Sequence, residues 1–256
     1  MIKLSKDNLQ ILNQLELPKN EATLPGYLQG FISGASWVND IINPTTAILV
    51  IADFCYLIGN IDKKYKAEIV DILKDNCKGK LIGYSSNTWS EFIEENFAET
   101  FKKRKRYSFK HESNIFDRNK LENYADAIQP ELNTKRINEE IYQIALQQSW
   151  TEDFCSNFLS LEHFLNYGIG YVIMKDGEII SGASSYSYCK GHIDITIETK
   201  PEYQRKGLAL ACASKVILEC LDRNIYPKWD ASNLNSVALA EKLGYNLDKE
   251  YFIYFI

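Results

Sequence analysis

Apolar residues recur along the chain with two different periods, which together predict a mixture of strands and helices. In the first half, the predicted strands cover residues 46–52, 54–58, 80–84 and 104–110. The predicted helices cover residues 5–17, 63–76 and 90–97, and Ser5 is expected to cap the first of them. The alternation of the two kinds of element indicates a mixed α/β architecture.

The second half has a more regular order of elements. A helix over residues 161–167 is followed by strands over 170–175, 178–188 and 192–199, a helix over 207–224, a strand over 225–231, a helix over 233–243 and a last strand over 250–256. The pairs Asp-Gly at 176–177 and Lys-Gly at 190–191 are typical of tight turns, so the three strands that they join should form an antiparallel meander. Asn224 and Gly244 are expected to end the two later helices, and the last strand can lie beside the meander.

The segment between the meander and the long helix has the features of an anion-binding loop. It reads Q-R-K-G-L-A at residues 204–209. The first N–H groups of a helix have no partner within the helix and the helix dipole is positive there, so a diphosphate can be held without a metal. Gly207 allows the backbone to approach the phosphates closely. Arg205 and Lys206 add positive charge at the same place.

This loop resembles the acetyl-coenzyme A loop of the GNAT acetyltransferases. Two later segments agree with the resemblance, namely P-K-W-D-A-S-N at residues 227–233 and L-A-E-K-L-G-Y at residues 239–245. The block of residues 196–254 is most similar to the branch that includes the zwittermicin-resistance acetyltransferases. The resemblance implies an α/β (α+β) fold with a GNAT-type mixed, mostly antiparallel sheet flanked by helices, and acetyl-CoA (coenzyme A) as cosubstrate.

The resemblance is specific toward the carboxyl terminus and loose before it, which suggests two domains. We expect a divergent amino-terminal α/β domain over residues 1–130 and a GNAT acetyltransferase domain over residues 131–256. The order of elements also allows the first domain to be a degenerate second acetyltransferase-like fold.

The resemblance further implies a set of cofactor-binding residues. In the family, backbone groups of the strand before the loop hold the acetyl carbonyl, and residues at the start of the last helix touch the pantetheine arm. The matching positions here are Ile197, Glu198, Thr199, Gln204, Arg205, Lys206, Gly207, Leu208, Ala209, Asn233 and Ser236. An ordinary buried strand and a helix cap are the structural alternatives for the strand and helix residues.

Acetyl transfer to an amine needs a base, because an ammonium group has no lone pair with which to attack the thioester. Asp194, Thr196 and Glu198 alternate on one face of the predicted strand. Glu198 is the preferred base and Asp194 the second choice, with a merely solvated strand face as the alternative. Many family members protonate the leaving thiolate with a tyrosine at a position that is Ala240 here. The remaining candidates for that acid are a bound water, Tyr245, Tyr226 and Tyr186.

Composition limits the classes of function. The 256 residues are 45% apolar, which is enough for two domains with separate cores. A net charge of −5 argues against a general nucleic-acid binder. No apolar run reaches the length of a membrane span and no signal peptide is evident, so a cytoplasmic location is expected. The six cysteines form no CxxC pair and the three histidines show no metal-ligand spacing, so reduced thiols and no metal are expected.

Two further features have competing interpretations. The basic run at residues 102–106 is typical of a charge-protected edge strand, although it can also receive adenosine phosphates, another subunit or a nucleic-acid backbone. A second set of polar and aromatic residues can line an acceptor pocket or pack in the core. That set is Trp37, Asp40, Pro44, Asp53 and Phe54.

The sequence therefore predicts an acetyl-CoA-dependent N-acetyltransferase that acetylates an amine of a small molecule, an antibiotic or a metabolite. Direct transfer in a ternary complex is expected, because Cys189 and Cys212 have no paired His and Asp for a covalent route. A homodimer is an option, and no membrane or nucleic-acid partner is expected. The alternatives are a non-catalytic acyl-CoA-binding or sensing module and a protein or peptide N-acetyltransferase.

Overall fold

The computed structural model describes residues 1–18 and 22–256, whose regular elements are numbered in chain order. The strands are β1 (Ile2–Lys3), β2 (Gly34–Val38), β3 (Thr46–Ile51), β4 (Phe54–Gly59), β5 (Leu81–Tyr84), β6 (Lys102–Phe109), β7 (Thr134–Arg136), β8 (Gly170–Lys175), β9 (Glu178–Cys189), β10 (His192–Thr199), β11 (Tyr226–Lys228), β12 (Asp230–Ala231) and β13 (Leu247–Phe255). The α-helices are α1 (Thr23–Leu28), α2 (Lys66–Asn76), α3 (Asn87–Asn96), α4 (Arg118–Asp126), α5 (Glu139–Ala145), α6 (Leu161–Tyr167), α7 (Leu208–Asp222) and α8 (Leu234–Leu243).

The described residues form two compact units. Unit 1 comprises residues 1–18, Ser33–Arg106 and Glu250–Ile256, and unit 2 comprises residues 22–32 and Tyr107–Lys249. The predicted domain boundary after residue 130 differs from this division. The reason is that Leu121 of α4 is buried in the same core as α7, so α4 belongs to unit 2.

Unit 1 is built on a sheet with the strand order β1-β2-β3-β4-β5-β13-β6. Strands β2, β3 and β4 form an antiparallel meander, α2 follows as a crossover helix, and β5 returns parallel to β4. The core of this unit buries apolar residues of the strands against the inward faces of α2 and α3. Its members include Ile48, Leu57, Ile69, Leu73, Trp89 and Ile93.

The carboxyl end of β4 is closed by hydrogen bonds from residues that follow β5. The Ser85 N–H donates to the carbonyl of Leu57 at 3.0 Å. The Gly59 N–H donates to Ser85 Oγ at 3.0 Å, and Trp89 Nε1 donates to the Gly59 carbonyl at 2.8 Å. These bonds occupy backbone groups at the end of β4, beside the start of the crossover.

Unit 2 repeats this order of elements around a second sheet, β11-β10-β9-β8-β7. Strands β8, β9 and β10 form the predicted antiparallel meander, α7 is the crossover helix, and β11 pairs parallel to β10. The turn residues Asp176 and Gly177 both have positive φ (51° and 83°), as the hairpin prediction requires. Asn224 and Gly244 are also left-handed (φ 55° and 113°) and end the two predicted helices.

Apolar side chains cover both faces of the second sheet. On one face, Ile193 of β10 is buried with Val216 and Ile217 of α7. On the other face, Val172 of β8 is buried with residues of α5, α6 and the loop that joins them. Members of this second cluster are Ile141, Ala145, Phe154, Phe158 and Phe164. Strand β10 therefore presents its odd-numbered isoleucines to α7 and its even-numbered polar residues to the opposite face.

Three predicted elements differ from the structure. Residues 5–17 contain a 3₁₀ helix, Lys6–Gln14, and the Ser5 side chain makes no capping hydrogen bond. The strand predicted over 225–231 is interrupted at Trp229, because β12 pairs with residues 107 and 108 of β6 instead of continuing the β10 ladder. The last strand pairs with β5, Tyr254 opposite Ile82, so its predicted place beside the second meander is wrong.

Candidate active site

Strand β10 loses its parallel partner halfway along its length. The ladder with β11 begins at His192 opposite Tyr226 and stops at Asp194 opposite Lys228. From Ile195 to Thr199, β10 is paired with β9 on its other side. The second half of β10 therefore has an open edge, which leads directly toward the start of α7.

Two isoleucines present their backbone to this open edge. The Lys200 N–H donates to the Ile180 carbonyl at 3.0 Å, which fixes the phase of the antiparallel ladder between β10 and β9. Because hydrogen-bonded pairs alternate in such a ladder, the backbone groups of Ile195 and Ile197 point away from β9. Glu198 forms a hydrogen-bonded pair with Gly182, so its backbone groups point toward β9. Of the three strand residues predicted to contact the cofactor, Ile197 and Thr199 have backbone groups that face the open edge.

The end of β10 is tied to the loop that follows it. Thr199 Oγ1 and Ser181 Oγ are 2.7 Å apart, and the Thr199 carbonyl accepts a hydrogen bond from Gln204 Nε2 at 3.3 Å. Arg205 has φ 63° and Gly207 has φ 81°, so the chain turns sharply before α7 begins at Leu208. These bonds place the loop residues of the predicted cofactor set directly after the open edge.

The loop residues fit a diphosphate. Among the described residues, a Cβ at Gly207 would meet only the Ala127 carbonyl oxygen within 4 Å, at 3.9 Å, so open space lies beside this residue. Arg205 and Lys206 are exposed, and Lys206 Nζ lies 4.9 Å from the centre of the Tyr203 ring. The side chain of Leu208 is buried in the core, so this residue can offer a ligand only its N–H group. The donor set of unpaired N–H groups and cations matches the phosphates of acetyl-CoA.

Glu198 lies on the face of β10 opposite α7, next to an aromatic ring. Gly182 is directly across the ladder from Glu198, and a Cβ at Gly182 would be 2.6 Å from the ring of Phe154. The ring thus occupies the place of a side chain at position 182. Although Glu198 is exposed as a residue, partial burial of its carboxyl raises its pKa. A carboxylate with a raised pKa is a suitable proton acceptor.

Asp194, the second predicted base, has a structural set of partners. Its Oδ2 accepts hydrogen bonds from the Ala22 N–H at 2.9 Å, the Thr23 N–H at 3.0 Å, Thr23 Oγ1 at 3.0 Å and Ser187 Oγ at 2.7 Å. Asp194 therefore caps α1, a helix far away in the sequence. Sequence reasoning missed this contact, since no local pattern connects residues 22 and 194. Glu198 is the stronger candidate for the base.

Asn233 and Ser236 lie in the first turn of α8. Asn233 is the residue that caps this helix, and Trp229 Nε1 donates to Ser236 Oγ at 3.1 Å. The structural alternative of helix capping is thus present for the Asn233 side chain, whereas the Ser236 hydroxyl serves as an acceptor for Trp229. Asn233 is exposed and Ser236 half-buried, so a ligand can still reach both side chains.

The tyrosines considered as acids differ in how their hydroxyl groups are used. Tyr245 is buried and donates to the Pro227 carbonyl at 2.7 Å, and its burial raises its pKa well above the usual range. Tyr226 donates to the Lys110 carbonyl at 3.2 Å. Ala240 is fully buried in α8. Tyr186, which is half-buried, is the extra residue of a β-bulge, because Asp194 pairs with Ser187 and the next residue with Ser185.

A cysteine nucleophile is not supported. All six cysteines are buried and free. Burial raises the pKa of Cys189 to about 11 and that of Cys212 to about 12, so both thiols are protonated at neutral pH. Among the residues that the structure describes, no cluster of three or more His, Cys, Asp or Glu side chains is arranged to hold a metal ion. Within the same residues, no helix is long and apolar enough to cross a membrane.

The basic run lies on β6, whose residues 107 and 108, beyond the run, pair with β12. Lys103 pairs with Glu94 at 2.6 Å and Lys105 with Glu250 at 3.0 Å, which fits the prediction of a charge-protected edge strand. The aromatic and polar set of the first half also has structural roles. Trp37 is buried in the core of unit 1, and Asp40 Oδ1 accepts from the backbone N–H groups of residues 42 and 43.

Comparison with known proteins agrees with the geometry. A family model described as "GNAT acetyltransferase" matches residues 14–254 of the chain. A solved GCN5-related N-acetyltransferase-like protein from Streptococcus suis 89/1591 is 33% identical, with a TM-score of 0.84, and the match covers 97% of this chain and 98% of that one.

Two further relatives are more distant. The uncharacterized N-acetyltransferase YdfB of Bacillus subtilis (strain 168) is 27% identical over 175 residues, which is 67% of this chain and 64% of that protein. The chain thus aligns with less than two thirds of YdfB. A tandem GNAT protein from the clavulanic acid biosynthesis pathway is 10% identical, with a TM-score of 0.59, and the match covers 99% of this chain and 96% of that one. This last likeness is one of fold alone.

Proposed function

The chain belongs to the GNAT acetyltransferase family, and from that premise we propose that it transfers an acetyl group from acetyl-CoA directly to an amine of a small molecule. The observation that supports this function best is the open edge of β10, which ends at the amino terminus of α7 and carries Glu198 on the same strand. A thioester held along that edge would have its phosphates at the loop and a carboxylate nearby.

The residues divide into a binding set and a reacting set. The backbone groups of Ile195 and Ile197 bind the pantetheine arm along the open edge. Arg205, Lys206 and the N–H groups around Gly207 bind the diphosphate. When bound, acetyl-CoA supplies an activated acetyl group as a thioester. Holding both reactants in one complex contributes the proximity effect of direct transfer.

Glu198 takes a proton from the ammonium form of the acceptor, so that the amine nitrogen gains a free lone pair. The negative charge of the same carboxylate attracts the cationic acceptor before the proton moves. Protonation of the leaving thiolate falls to a bound water, because the hydroxyl groups of Tyr245 and Tyr226 are hydrogen-bonded to backbone carbonyls.

The acceptor class follows from the resemblance in the carboxy-terminal block. The segments at residues 227–233 and 239–245 resemble the zwittermicin-resistance branch, which supports an amine-bearing antibiotic or metabolite as the acceptor. A second candidate function, an acyl-CoA sensor without turnover, is favoured by Ala240, which stands where a tyrosine acid is usual.

Calorimetry with acetyl-CoA tests the proposal. We expect the wild-type protein to bind with a micromolar dissociation constant and Gly207→Trp to lose binding, because the indole would fill the space beside the loop. Gly79→Trp is the matched control, since Gly79 also has positive φ (78°) and open space around it, but lies in unit 1. Absence of binding by the wild-type protein would overturn the proposal. Release of free thiol on addition of amines then separates an enzyme from a sensor.

A further inference from the structure

A short segment of the amino-terminal part of the chain is bound to the sheet of unit 2. We call residues 22–32 the strap; it contains α1 and belongs to unit 2, whereas the chain from Ser33 to Arg106 belongs to unit 1. The strap is held at three places. Asp194 caps its start, Gly26 lies directly against the backbone of Tyr188 in β9, and the Lys190 N–H donates to Gln29 Oε1 at 2.8 Å.

Gly26 shows how closely the strap packs against the sheet. A Cβ at this position would lie 2.4 Å from the Tyr188 carbonyl oxygen, so no side chain fits between α1 and β9. At the far end, the Phe31 ring packs edge-on against Tyr188 and Tyr167, with ring centres 4.8 and 5.0 Å apart. The strap is therefore a tightly packed part of this unit.

The strap lies on the same face of β10 as Glu198. Asp194, Thr196 and Glu198 alternate to one side of the strand, and the irregularity between residues 194 and 195 adds a residue to β9 and none to β10. On that face, Ser187 bonds to Asp194 beside the strap, while Ser184 Oγ donates to the Phe154 carbonyl at 2.6 Å. The strap thus stands at the Asp194 end of this polar stretch, whereas Phe154 packs on the β9 residues that pair with Thr196 and Glu198.

The length of this stretch limits what can bind there. Glu198 follows Asp194 by four positions along the strand, which corresponds to about 13 Å. We infer that the strap is the far wall of the acceptor site and that Asp194 is the positioning residue that holds it there, so that the site accepts a compact amine and excludes a polypeptide running along β10. This inference rests on the proposed function, in which Glu198 marks the reacting end.

A labelling experiment tests the wall without requiring a known acceptor. Thr196 lies between Asp194 and Glu198, about 7 Å from the capped end of the strap. A Thr196→Cys variant can be labelled with alkyl methanethiosulfonates from ethyl to decyl, with the wild-type protein as the blank because its six cysteines are all buried. We expect the labelling rate to fall steeply once the alkyl group is long enough to reach the strap.

Substitutions of Asp194 test whether that residue fixes the position of the strap. Removal of the capping carboxylate in Thr196→Cys/Asp194→Ala should raise the rate for the long reagents by about fivefold, the factor that corresponds to a lost helix cap, and leave the ethyl rate unchanged. Asp194→Asn should restore the wild-type length dependence, because its Oδ1 can accept from the same N–H groups. If Asp194→Ala fails to fold, Thr23→Val, which removes one donor only, takes its place.

The outcomes are distinguishable from those of the acetyl-CoA titration. A labelling rate that does not depend on reagent length, or a length dependence that Asp194→Ala leaves unchanged, overturns the inference even if acetyl-CoA binds. Failure of the wild-type protein to bind acetyl-CoA overturns the proposed function. The labelling result still decides whether the strap limits the space along that face of β10.

Discussion

Asn233 Oδ1 accepts a hydrogen bond from the Ser236 N–H at 3.0 Å, and this single bond begins α8. The same side chain occupies the position that the family resemblance assigns to the pantetheine arm. A capping role and a ligand-binding role predict different consequences for a substitution. The chain contains a second asparagine in an equivalent capping position, which allows the two roles to be separated.

Asn233→Ala and Asn138→Ala form that matched pair. Asn138 caps α5 by accepting from the Ile141 N–H at 2.9 Å. Each substitution should lower the free energy of unfolding by about 1 kcal/mol, as measured in urea. If Asn233 also contacts the pantetheine arm, only its variant should bind acetyl-CoA more weakly, by about fivefold for one lost hydrogen bond. Equal acetyl-CoA affinity in both variants would assign Asn233 to capping alone.

Glu198→Gln should lower kcat by about 10²- to 10⁴-fold, because the amide cannot take a proton from the acceptor. Affinity for acetyl-CoA should stay unchanged in calorimetry. Burial raises the pKa of Glu198, and the base works only when ionised, so kcat/KM should fall as the pH decreases through that raised pKa. The glutamine variant should lack this acidic limb. Glu202→Gln, at an exposed residue of the following turn, is the control and should keep the wild-type profile.

Tyr245→Phe should destabilise the protein without slowing the reaction. The substitution leaves the buried Pro227 carbonyl without its donor, which costs about 1–3 kcal/mol of unfolding free energy. Denaturation in urea measures this loss, and thiol release measures kcat. A large decrease in kcat with an unchanged unfolding free energy would instead make Tyr245 the acid that protonates the thiolate.

Gly182→Ala should be destabilising because its Cβ would overlap the Phe154 ring at 2.6 Å. Overpacking of this kind costs about 1–3 kcal/mol. Gly83→Ala is the matched control in another strand, where the nearest atom of Tyr56 would be 3.6 Å away, an ordinary contact. Thermal unfolding of the two variants gives the comparison. A stable Gly182→Ala variant would mean that Phe154 can move away from Glu198.

The sequence predicted the second half of the fold well because its signals are local. The Asp176-Gly177 turn, the glycine before α7 and Gly244 after α8 each demand one backbone conformation, and the structure has it. Short helices in the first 160 residues, such as α1 and α5, were missed because six or seven residues carry too little periodicity. The path of the last strand was mispredicted since pairing between distant strands leaves no local pattern.

The place of the candidate site in the fold could be predicted only in part. The loop before α7 could be located from its residue types, because an anion-binding loop needs glycine and cations within a few positions. The role of Asp194 could not be predicted, since its partners Ala22 and Thr23 are distant in sequence. The sequence alone does not distinguish a carboxylate that caps a helix from one that is exposed on a strand. The raised pKa of Glu198 likewise comes from burial, which depends on three-dimensional packing and not on the local sequence.

The hydrogen bonds of Ser85 and Trp89 at the end of β4 have a consequence for stoichiometry. Units 1 and 2 share one order of elements, as expected of an internal duplication, yet within the part of the chain that the structure describes only the second copy keeps this strand edge open. In the first copy, Ser85 and Trp89 occupy the corresponding edge with hydrogen bonds to Leu57 and Gly59. We therefore expect one chain to bind one molecule of acetyl-CoA.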